Sequence, residues 1–114
     1  LYYIFNLIKF KSINRGNEEQ TILRILKENK YKKRESQGEE FYQHGSGIVT
    51  SPQLIKYTFK DDIIVIESWV RNFGFLGESS LEGSSQIFAK KSARGTLKKI
   101  QEGLGLEIIE QGTL

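Results

Sequence analysis

Acid–base chemistry near neutral pH calls for an imidazole, and the 114-residue chain has one histidine, His44. It lies in Tyr42-Gln43-His44-Gly45-Ser46, two positions before a serine. If that segment is extended, His44 and Ser46 share a face but stand about 6.5 to 7 Å apart along it. A Ser-His-Asp triad could be built only around this one residue. Gly45-Ser46-Gly47 could form a small anion-binding nest, yet it matches neither a phosphate-binding Walker loop nor a dinucleotide fingerprint. A polar residue beside a strand bulge explains the segment without any function. Paired carboxylates can hold a hard cation, and Asp61-Asp62 with Glu67 is the nearest case. Turn chemistry already accounts for the two aspartates. With no cysteine in the chain, disulfides, thiolate metal sites and cysteine nucleophiles are excluded. The expectation is therefore no metal, no cofactor and a domain that is not an enzyme.

Charge offers more than catalysis does. Lys27, Lys30, Lys32, Lys33 and Arg34 face only Glu28 within 27–34, a local charge of +4. Lys90, Lys91, Arg94, Lys98 and Lys99 stand in 90–99 with no acid, a local charge of +5. Each cluster exceeds the net charge of the whole chain, +3, so the remainder is acidic. Clustering of this kind suits a phosphate backbone, an anionic ligand or an anionic membrane surface, and Tyr31 could add stacking. Solvated helix ends are the plain alternative. A second feature is Asn72-Phe73-Gly74-Phe75-Leu76-Gly77. Its aromatic side chains between glycines could insert into a partner or a membrane surface, or fold back over a sheet edge. The residues expected to bind a ligand or partner are thus Lys30, Lys32, Lys33, Arg34, Lys90, Lys91, Arg94, Lys98, Phe73 and Phe75.

These residues need elements to hold them. Leu1 to Phe10 is rich in aromatic and β-branched residues and reads as a strand. Glu18 to Asn29 reads as a helix with Asn17 as its cap and Gln20 as the partner in a capping box. Ile22, Ile25 and Leu26 make its apolar stripe. Lys30 to Gly38 reads as a charged linker, and Glu39 to Gly45 as the start of a strand that Ile48 to Thr50 could continue. Gln53 to Lys60 and Ile63 to Arg71 form the clearest hairpin. Ile55, Tyr57 and Phe59 alternate with Lys56, Thr58 and Lys60, and Asp61-Asp62 makes the turn. Ile63 to Ile66 is apolar at every position, as in a central strand covered on both sides. Asn72 to Gln86 reads as a long loop, followed by a short strand at Ile87 to Ala89. A second helix is expected over Ala93 to Glu102 with Gly103 as its stop, then a last strand over Leu106 to Glu110.

The expected architecture is one α+β domain over residues 1–114, with an antiparallel sheet of about five strands and two helices packed on one face. A composition of 38% hydrophobic and 27% charged residues fits a folded globular domain rather than disorder. Residue 1 is leucine and methionine occurs nowhere, so a piece of a longer protein, a processed form, or a sequence that has lost its methionine is expected. The first ten residues are too few to span a bilayer, and no signal-peptide pattern follows. The functional expectation is a non-catalytic binding or accessory module on the cytoplasmic side. In a membrane-proximal version, Lys9, Lys11 and Arg15 would flank a preceding apolar segment. The alternative is nucleic-acid binding through 27–34 and 90–99. A protein partner or a second copy of the chain stays open.

Overall fold

A computed structural model describes residues 2–45, 52–71 and 82–113. In chain order the elements are β1 (Tyr2–Lys11), α1 (Arg15–Glu28), β2 (Lys32–Ser36), β3 (Glu39–His44), β4 (Gln53–Lys60), β5 (Ile63–Arg71), α2 (Glu82–Leu104) and β6 (Ile108–Thr113). The strands form one sheet in the order β2-β3-β4-β5-β1-β6, and every neighbouring pair is antiparallel. The α+β class holds, with six strands instead of about five.

Both helices lie on one face. The core joins Ile22, Ile25 and Leu26 of α1, and Leu97 and Ile100 of α2, to Ile8, Phe10, Ile55, Ile64 and Ile66 of the sheet. The pairings Ile8–Ile66, Phe10–Ile64 and Tyr57–Ile66 carry that face across three strands. The predicted hairpin forms as read, and Asp61 takes the positive φ of its turn, 57°. β5 is central, between β4 and β1. Its other face, with Ile63 and Val65, meets no helix and is only half-buried, as antiparallel sheets allow.

Four expectations about elements need correction. First, α1 starts three positions earlier than read, on Asn14, whose side chain accepts from the Asn17 amide at 3.3 Å. The carboxylate that closes the turn belongs to Glu18, not to Gln20. It accepts from the Ile13 and Asn14 amides at 2.8 and 2.9 Å and from the Ser12 hydroxyl. Second, Lys32–Ser36 is a strand, not a linker. It pairs with β3 across Gln37-Gly38, both at positive φ (54° and 81°), as a primed two-residue turn requires.

Third, α2 begins at Glu82, so 87–89 is helical and not a strand. Fourth, α2 runs past Gly103 and stops at Gly105, whose φ is 60° and whose amide returns to the Gln101 carbonyl at 3.1 Å. Gly103 instead lies where the helices touch. A Cβ there would sit 2.8 Å from Ile25 Cδ1 and 3.3 Å from Thr21 Cγ2. β6 follows over Ile108–Thr113, later than expected. The possible strand at 48–50 and the aromatic segment with Phe73 and Phe75 lie outside the described residues. No helix among the described residues is long and apolar enough to cross a membrane.

Candidate functional site

Width decides where a site can form. Six strands about 4.8 Å apart span roughly 24 Å between the outermost two. Two packed helices with axes about 8 to 10 Å apart cover less than that. On the helix-bearing face, a groove therefore runs along the outer flank of each helix.

The groove beside α2 measures about 560 Å³ and lies over β1 and β6. Ile8 and Leu97 form an apolar floor. Arg94 and Lys98, one helical turn apart, line it with Gln101 and Glu102, and Asn6 and Gln111 face them from the sheet. Gly112 lines the groove through its backbone alone, because opposite Leu7 it faces the other side of the sheet. Among the described residues neither Arg94 nor Lys98 has an ion-pair partner.

The groove beside α1 is smaller, about 270 Å³, and is lined by rings. Tyr42 and Tyr57 stack with centroids 5.9 Å apart, and Phe59 meets Tyr57 edge-on at 6.1 Å. The Arg15 guanidinium lies 4.9 Å from the Phe59 ring centroid. Tyr57 donates to Glu19 Oε2 at 2.9 Å. Burial first, and the Glu19 and Tyr42 hydrogen bonds after it, push the Tyr57 hydroxyl far above its ordinary value. It stays a donor, and the contact ties α1 to the sheet.

The basic residues named from sequence fall at several places. Lys30 is the αL residue that ends α1, at φ 65°. Its amide returns to Lys27 and that of Tyr31 to Leu26, a Schellman closure built on lysine. Lys33 is on the helix face, paired with Glu40 at 3.1 Å. Lys32 and Arg34 alternate to the helix-free face, where Arg34 is opposite Phe41. Lys90, Lys91, Arg94 and Lys98 are on α2. β2 and β6 are the two outer strands, so Lys32 and Arg34 lie roughly 24 Å across the sheet from β6, well beyond a Debye length of about 8 Å. The clusters touch at one place, where Lys99 Nζ donates to Asn29 Oδ1 at 2.8 Å beside Lys30.

His44 is half-buried against Tyr31, ring centroids 5.5 Å apart. Its Nδ1 has no hydrogen-bond partner among the described residues, and Ser46 lies outside them. Tyr31 bonds Gln53 Oε1 at 3.3 Å, and burial, partly offset by a Thr96 hydrogen bond, pushes its hydroxyl up to about 12. Among the described residues no three His, Asp or Glu side chains are gathered to hold a metal ion. Sequence reasoning named Arg94 and Lys98 but missed Asn6, Gln101 and Gln111, which carry no signal until β6 is placed beside β1. No protein-family model and no curated protein matches the chain. What the fold and site define is an α+β module with one open polar groove on the outer flank of its second helix.

Proposed function

We propose that the chain is a non-catalytic binding module that takes a small anionic ligand in the groove between α2 and β1–β6. The observation that carries this reading is a pair of cations, Arg94 and Lys98, without an ion-pair partner among the described residues, over a 560 Å³ groove with an apolar floor. Small-ligand sites combine such a floor with a few polar groups that fix orientation. His44, the one imidazole, contacts a phenol ring and no described carboxylate, so the reading assigns it no chemistry. The cysteine-free composition supports the cytoplasmic side as its place.

The test is calorimetric titration with inorganic phosphate and with citrate at low and moderate salt. Binding is expected to weaken about tenfold in Arg94→Ala and in Lys98→Ala, the loss of one charge-assisted contact, while Lys32→Ala leaves it unchanged. Binding that survives the double Arg94→Ala, Lys98→Ala variant would overturn the assignment.

A second reading, nucleic-acid binding, rests on a different surface. Lys32, Arg34 and Phe41 share the helix-free sheet face, and Phe41, Leu54, Trp69 and the ion-paired Lys56 and Glu39 border a hollow of about 130 Å³ there. Cations beside aromatic rings suit single strands. Anisotropy of a labelled oligonucleotide discriminates the two readings. Affinity that falls steeply with salt and is lost in Arg34→Ala and Phe41→Ala favours the sheet face over the groove.

A further inference from the structure

The groove beside α2 is polarised along its length. Arg94 is at one end, Lys98 is one turn further along, and Gln101 and Glu102 are at the other end. At 1.5 Å of rise per residue, Arg94 and Glu102 stand about 12 Å apart along the helix axis. Facing this row, Asn6 and Gln111 present side-chain amides from the sheet.

A simple inorganic anion would use only the cationic end. The carboxylate at the other end repels a second negative charge but accepts hydrogen bonds from hydroxyl groups. An amide can donate and accept at once, so Asn6, Gln101 and Gln111 suit a neutral body with several hydroxyl or ring-nitrogen groups. Ile8 and Leu97 beneath them offer an apolar surface to a flat or puckered ring.

We infer that the ligand of this groove is a phosphate monoester on a hydroxylated body, of the sugar-phosphate or nucleoside-monophosphate class. The inference rests on the anion-binding reading of the same site. The phosphate lies on Arg94 and Lys98, and the body reaches toward Glu102, whose carboxylate accepts from its hydroxyls. A phosphate ester carries its charge at one end, and its hydroxyls lie several ångströms away. The groove separates Arg94 from the Glu102 carboxylate in the same sense.

The experiment uses the full chain and four probes in calorimetric titrations: inorganic phosphate, ribose 5-phosphate, adenosine monophosphate and an oligonucleotide without a terminal phosphate. The two monoesters are expected to bind at least about tenfold more tightly than inorganic phosphate. Glu102→Gln is expected to shrink that advantage severalfold, by removing the acceptor for the hydroxyls and by raising the affinity for inorganic phosphate through loss of a negative charge one helical turn from Lys98. Glu102 is exposed on the helix, so the variant should fold, and an unchanged melting temperature confirms it. Monoesters that bind no better than inorganic phosphate would overturn this inference and leave the anion-binding reading standing. Binding of the oligonucleotide alone would overturn both, as would the absence of binding by all four probes at millimolar concentration.

Discussion

Glu18 is the one buried acid among the described residues, at 6% exposure, and its removal should be costly. Its carboxylate accepts from the Ser12 hydroxyl and from the amides of Ile13 and Asn14. Those groups make the turn that carries β1 into α1. A hydrogen bond to a charged group contributes about 1.5–3 kcal/mol. The side chain of Ile13 is 85% exposed, so water replaces part of what is lost there. Taking about 1 kcal/mol for each of the bonds, Glu18→Ala should cost about 3 kcal/mol, or roughly 10 °C in melting temperature for a domain of this size. Glu18→Gln, which keeps one acceptor oxygen and the shape, should cost about 1–2 kcal/mol.

The pH dependence gives an independent handle. Burial raises the Glu18 carboxyl, but the Asn14, Ser12 and Ile13 hydrogen bonds outweigh it and hold the group below its ordinary value. A depressed folded-state pKa means that the ionised form stabilises the fold. That contribution is complete above the unfolded value, about 4.3, and is lost as pH falls through the folded value. Urea denaturation of wild type and Glu18→Gln from pH 7 to pH 3 should therefore show a gap that narrows below about pH 4.3. A gap that stays constant over this range, or a Glu18→Ala cost under about 0.5 kcal/mol, would refute the reasoning.

Three further outcomes follow from the same kind of reading. Lys30→Gly should stabilise by about 0.5–1 kcal/mol, because a β-carbon at φ 65° is strained, and the gain is reduced by glycine's larger unfolded-state entropy; thermal melting checks it. Ser68→Ala should be neutral or stabilising by about 1 kcal/mol, since the fully buried Ser68 hydroxyl has no hydrogen-bond partner among the described residues, and a loss above 1 kcal/mol in chemical denaturation would mean that it has one. Gly103→Ala should come out near neutral, its helix-propensity gain of about 1 kcal/mol set against a Cβ placed 2.8 Å from Ile25 Cδ1. Gly103→Val should cost about 2 kcal/mol through overpacking between the helices, measured by the same denaturation.

Much of the fold could be read from the residues where periodicity and turn chemistry agree. The hairpin of β4 and β5 is the clearest case, with alternation on both strands and aspartates that accept positive φ. The start of α1 was harder, because Asn14 and Asn17 both lie one turn or less from the first helical residues. Two asparagines and three possible acidic or amide partners do not single out Asn14 and Glu18. β2 gave no signal, since Lys32–Ser36 is exposed at every position and an edge strand without a buried face shows no alternation. The early part of α2 holds Gly83, Ser84 and Ser85, whose weak helix propensity argues for a loop; the observed helix overrides that preference. The site was half legible. Arg94 and Lys98 stand out by charge, but their facing partners come from residues 6 and 111, which only the strand order brings alongside.

That strand order also explains why one groove is open and the other filled. The sheet is wider than the helix pair and extends beyond both helix flanks, and each extension must be closed by side chains or left to solvent. Beside α1, the strands offer Tyr42, Tyr57 and Phe59, large rings that stack on one another, and α1 replies with Arg15 and Glu19. The rings reduce that groove to about half the volume of the other. Beside α2, the strands offer Asn6, Ile8 and Gln111, none of which is a ring. Arg94 and Lys98 are exposed and have no ion-pair partner among the described residues, so α2 carries cations on that flank without the cost of desolvating them. On the anion-binding proposal, the smaller side chains at this edge would give the ligand room to reach both cations at once.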